Sequence, residues 1–132
     1  MKRPEEALHR AIVQHLRLRL EPPWMFWCTP NQRGTCKAWE QAMLKAMGVR
    51  AGIPDLFVLG PGPTLVGLEI KAPSATLKSG EKSKAKPSIS DAQKSTIGAL
   101  CACGVPTIIV RDVDDAVAAL STLGAKFRGR VM

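Results

Sequence analysis

The run from Asp55 to Lys71 decides the fold: Asp55-Leu56-Phe57-Val58-Leu59, the connection Gly60-Pro61-Gly62-Pro63, then Leu65-Val66-Gly67-Leu68-Glu69-Ile70-Lys71. The flanking segments are apolar, as buried strands are. Gly and Pro between them mark a tight turn. The two segments therefore read as a β-hairpin. Its turn centres near Gly62, so Asp55 and Glu69, each seven positions away, stand opposite one another. Opposed residues share a face, with Cβ atoms about 4.5–5.5 Å apart. Lys71 lies two residues beyond Glu69 and shares that face, while Ile70 points the other way. A bulge would break this register. Two adjacent carboxylates repel unless something positive lies between them. A hard divalent cation such as Mg²⁺ meets that need, because it prefers oxygen ligands. The lysine could orient or deprotonate a water, or hold a phosphate. The competing reading is a surface salt bridge between Lys71 and one acid. The apolar neighbours weigh against it, since charge in a buried strand is costly without a purpose.

Upstream, the spacing predicts a helix over Pro4–Leu20, with Leu8, Ile12 and Leu16 as its buried stripe. Pro4 suits the first turn, and Glu5 and Glu6 complement the helix dipole there. Trp24–Cys28 reads as a short strand and Thr29–Gly34 as a loop. Lys37–Met47 fits a second helix, capped by Gly48, whose Trp39, Ala42, Met43, Ala46 and Met47 are expected in the core. Gly52 is expected where the backbone comes close to a substrate.

Downstream, Ala72–Ser88 changes character. Lys78, Lys82, Lys84 and Lys86 sit among Ser, Gly and Pro, which predicts a mobile, solvated, positive loop. Ser90-Asp91-Ala92-Gln93 has the spacing of a capping box, and a helix should follow to about Cys103, closed by Gly104. Pro106–Arg111 is a strand, and Asp112 caps a last helix ending at Leu123 and Gly124. The tail from Ala125 to Met132 is basic and expected to be loose. Helix, strand, helix, hairpin, helix, strand, helix is the order of an α/β fold, a mixed central sheet flanked by helices. Residues 1–124 are expected to form one domain, with 125–132 a basic tail.

The 132 residues suit a single core. No apolar run is long enough to span a bilayer, and the N-terminus does not fit a signal peptide, so a cytoplasmic protein is expected. Lys and Arg number 19 against 11 Asp and Glu, a net charge of +8 that favours a polyanionic partner such as nucleic acid. Cys28, Cys36, Cys101 and Cys103 form no C-x-x-C pair. A zinc site with His9 or His15 is one reading, and four buried reduced thiols the favoured one.

Pro54-Asp55 followed by Glu69-Ile70-Lys71 resembles the PD-(D/E)XK nuclease motif. The longer run Met47-Gly48-Val49-Arg50-Ala51-Gly52-Ile53-Pro54-Asp55-Leu56-Phe57 is similar to the VRR-NUC branch, the virus-type replication-repair nucleases. So are Gly67-Leu68-Glu69-Ile70-Lys71-Ala72 and Ser90-Asp91-Ala92-Gln93. The likeness spans roughly Glu5 to Leu120. It implies a restriction-endonuclease-like fold and a DNA nuclease using Mg²⁺ or Mn²⁺. Asp55, Glu69 and the Ile70 carbonyl would be metal ligands, and Lys71 would position the attacking water. Gln93 would support the site or contact DNA; its other reading is a helix cap. A glutamate on the first helix would complete the metal set. Glu6 is preferred, and spacing alone does not separate it from Glu5. Asn31 and Arg33 would contact phosphate, together with Lys78, Lys82, Lys84 and Lys86. The resemblance further implies a homodimer acting on branched DNA such as four-way junctions, in a bacterial or phage-type setting. The alternatives are a catalytically silent DNA-binding subunit on the same scaffold and a basic interaction module.

Overall fold

The computed structural model describes residues 4–29, 37–72 and 88–129. Its elements are α1 (Pro4–Arg19), β1 (Met25–Cys28), α2 (Ala38–Ala46), β2 (Leu56–Gly60), β3 (Thr64–Ile70), α3 (Asp91–Ala102), β4 (Thr107–Val110) and α4 (Val113–Thr122). The strands form one sheet in the order β1-β2-β3-β4. β1 and β2 pair antiparallel, as do β2 and β3, whereas β3 and β4 run parallel. The mixed α/β architecture is the expected one. The parallel pair follows from α3, which supplies the crossover that two parallel neighbours require.

The hairpin register agrees with the sequence reading. Leu56 pairs with Leu68, Phe57 with Gly67 and Val58 with Val66, all symmetric about Gly62. Gly62 turns with φ of +112°, a left-handed conformation that suits glycine. One face of the hairpin carries Leu56, Val58, Val66, Leu68 and Ile70 into the core. Leu8, Ile12 and Leu16 of α1 and Ala116 and Leu120 of α4 complete that core. Their four-residue spacing places each set on one helix face. Glu69, Gly67 and Phe57 belong to the opposite face, as the alternation of a strand requires.

Three expectations are corrected. The apolar stripe of α2 is not core: Trp39 is 64% exposed and Met47 75%, and no α2 residue is buried. Helical periodicity identifies an apolar face without saying what covers it. The tail is not loose as far as Phe127. Leu20 and Phe127 form a β-bridge, the Glu21 N–H donates to the Lys126 carbonyl at 2.9 Å, and the Arg128 N–H donates to the Arg19 carbonyl at 2.7 Å. Ala125 is buried and Phe127 half-buried, while Lys126 and Arg128 face solvent. This is strand alternation, which the basic composition hid. Finally, Cys28, Cys101 and Cys103 are free thiols at exposed positions rather than buried ones; Cys36 lies outside the described residues.

No helix among the described residues is long and apolar enough to cross a membrane.

Candidate active site

The site forms where β3 ends. Pro54 is buried against Gly67, whose missing side chain makes the fit: a Cβ there would come within 2.6 Å of the Pro54 ring. That contact seats the next residue, Asp55, beside the end of β3. The Asp55 carboxylate accepts the Ile70 backbone N–H at 2.8 Å, and its own carbonyl accepts the Thr29 N–H at 3.0 Å. Asp55 is thus tied to strands on both sides.

Glu69 is only 2% exposed. A carboxylate at that depth needs partners. Gln93 of α3 donates its side-chain N–H to Glu69 Oε2 at 2.6 Å, and Lys71 Nζ lies 3.5 Å from the same oxygen. Lys71 Nζ also donates to Gln93 Oε1 at 3.2 Å, so the three side chains close a ring of contacts. The capping reading of Gln93 holds. Its backbone N–H donates to Ser90 Oγ at 3.1 Å, and its Oε1 accepts the Ser90 N–H at 3.0 Å, while its amide nitrogen reaches Glu69. One residue caps α3 and anchors the acid.

α3 is brought to β3 by Gly52. With φ of +81°, Gly52 lies against the first turn of α3, and a Cβ there would overlap the Ala92 carbonyl. The structure shows a close approach of Gly52 to α3. Thr96, buried one turn beyond Gln93, donates to the Ala51 carbonyl at 2.8 Å and accepts from Arg50 Nε at 3.1 Å.

On α1 the structure separates the two glutamates. Glu5 Oε2 accepts the Ala72 N–H at 3.3 Å, at the end of β3. Glu6, the preferred residue, pairs with Arg10 one turn along its own helix at 3.3 Å. His9, one turn beyond Glu5, sits 3.6 Å from Cys28 Sγ. Burial, and then the Asp55 charge, push the Cys28 thiol above its usual range. Sequence reasoning missed this His9–Cys28 contact, since nothing local links α1 to the end of β1.

Among the described residues no three His, Cys, Asp or Glu side chains form a ready-made metal cage, which also leaves zinc without support. Mg²⁺ does not require one: it is usually held by one or two carboxylates and keeps several waters. Asp55, just before β2, and Glu69, on β3, are both oxygen donors and fit that description. Asn31, Arg33, Lys78, Lys82, Lys84 and Lys86 lie outside the described residues.

No protein-family model matches the chain. No curated protein matches it at a significant level. A solved structure described as a "VRR_NUC domain protein" does: the two superpose with a TM-score of 0.63, over 92% of this chain and 88% of that one, at 18% sequence identity. The motif resemblance and the superposition agree, and the chain has the fold of a VRR-NUC domain protein.

Proposed function

We propose that this protein is a metal-dependent deoxyribonuclease that hydrolyses phosphodiester bonds. The observation that carries the reading is the buried Glu69, held by Lys71 and Gln93, with the Asp55 carboxylate bonded to the next backbone N–H, that of Ile70. An acid buried at that cost in an apolar strand is hard to explain as a scaffold feature. When bound, Mg²⁺ or Mn²⁺ would supply Lewis-acid stabilisation of charge on the phosphate. Asp55 and Glu69 would hold the ion, with the Ile70 carbonyl as a further ligand by resemblance. By resemblance a glutamate of α1 would join them, Glu6 or its neighbour Glu5, of which Glu5 accepts the N–H of Ala72 beyond β3. Lys71 keeps its ammonium beside the acids, where it would orient the attacking water and offset charge on the phosphate. Gln93 fixes both Lys71 and Glu69, so the set is organised before substrate arrives.

The net charge of +8 supports DNA as the partner. Contacts from Asn31, Arg33, Lys78, Lys82, Lys84 and Lys86 would go to the backbone, which positions DNA without reading bases. We read the preference as structure-selective cutting of branched DNA by a homodimer, since two sites related by a two-fold axis suit a symmetric junction. That finer part rests on the motif resemblance alone.

The test is cleavage of a labelled four-way junction, with flap, nicked and single-stranded controls, with and without Mg²⁺ or Mn²⁺. Wild type should cut only with metal, and Asp55→Ala and Lys71→Ala should lose cutting by at least about 100-fold. Junction binding without cleavage by wild type under every metal condition would establish the silent scaffold instead.

A further inference from the structure

Arg50 is exposed, yet its guanidinium is anchored. Its Nε donates to Thr96 Oγ1 at 3.1 Å, and Thr96 is buried on α3. The anchoring is not needed to satisfy Thr96, whose hydroxyl already donates to the Ala51 carbonyl at 2.8 Å. Gly52 and Ala51 also tie this segment to α3, through contacts that involve no charge. Among the described residues no carboxylate is paired with Arg50. An arginine has five N–H donors in a planar fork. With one spent on Thr96, the terminal nitrogens keep four.

The position matters as much as the charge. Thr96 follows Gln93 by three residues and so lies on the same side of α3, about 4.5 Å along the axis. Gln93 touches Glu69 and Lys71 directly. Arg50 is thus held to the same helix that holds Glu69 and Lys71 through Gln93, and it lies five residues before Asp55. Lys71, by contrast, is 12% exposed and engaged with Glu69 and Gln93.

We propose that Arg50 is a substrate-positioning residue, whose guanidinium grips a phosphodiester group of the nucleic-acid backbone adjacent to the one being cut. The inference rests on the nuclease reading and deepens it. A guanidinium matches two phosphate oxygens at once, and a side chain already held at Nε loses little further freedom on binding. Such a grip carries no base information, but it sets the strand's register over Asp55 and Glu69.

The experiment measures junction binding without metal across a salt series, for wild type, Arg50→Gln, Arg50→Lys and Arg17→Gln. Arg17 is an exposed residue of α1 that removes one charge as a control. Loss of one phosphate contact should reduce the slope of log K against log salt by roughly 0.9 in Arg50→Gln. Arg17→Gln should change it little, and Arg50→Lys should restore the slope without restoring full affinity. With metal, Arg50→Gln should raise KM by roughly ten-fold, as loss of a charge-assisted contact does, with a smaller fall in kcat. Circular dichroism checks that each variant is folded. An unchanged slope in folded Arg50→Gln, or an equal change in Arg17→Gln, overturns the proposal. If wild type cuts DNA and Arg50→Gln cuts it equally well, only this inference fails. If wild type neither binds nor cuts, the nuclease reading itself fails.

Discussion

Gln93 carries two duties on one side chain, and they separate experimentally. Ser90→Ala removes the oxygen that accepts the Gln93 N–H and should cost about 1 kcal/mol of stability, with cleavage largely retained. Gln93→Ala removes the amide that serves both Glu69 and Lys71, and it should cost about 1–3 kcal/mol from the unmet buried carboxylate. Its cleavage rate should fall far more than that of Ser90→Ala. Urea melts and single-turnover cleavage on both variants make the check, and equal kinetic losses would return Gln93 to a capping role alone. At this scale much was legible. Counting outward from Gly62 gives the observed pairs Leu56–Leu68, Phe57–Gly67 and Val58–Val66, because turn symmetry sets the register of a tight hairpin. The choice between Glu5 and Glu6 was not legible. It depends on how α1 is rotated against the sheet, and long-range packing sets that rotation.

The helices show where periodicity succeeds and where it stops. In α1, Leu8, Ile12 and Leu16 are buried as their spacing predicts. In α2, an equally regular stripe of Trp39, Met43 and Met47 is exposed. Both patterns describe an amphipathic helix, but the covering surface is a property of the whole chain. The energetic consequence is measurable. Ile12→Ala should destabilise by about 2–5 kcal/mol, since it opens a cavity in a filled core. Met43→Gln, on the exposed stripe, should stay within about 0.5 kcal/mol. Chemical denaturation of both variants tests the contrast, and a large loss in Met43→Gln would mean that α2 is covered in solution.

Across the whole molecule, the last described residues close on the C-terminal end of α1. Leu20 and Phe127 pair, and the Phe127 ring sits 5.9 Å from His15. The tail therefore braces the end of α1 opposite to Glu5. Phe127→Ala should lower stability by about 1–3 kcal/mol, in keeping with burial of part of an aromatic ring. Cleavage at saturating substrate should hold, because the ring lies far along α1 from the acids; differential scanning calorimetry beside the junction assay checks both halves. The basic composition of 125–132 concealed this brace, since composition weighs Lys126 and Arg128 equally with the apolar residues that alternate with them. In the proposed nuclease Asp55 and Glu69 hold one ion between them. Anomalous diffraction from a crystal soaked in Mn²⁺ should then show a peak between the Asp55 and Glu69 carboxylates that disappears in Asp55→Asn. Ordered manganese elsewhere, with nothing between these two side chains at saturating Mn²⁺, would contradict it.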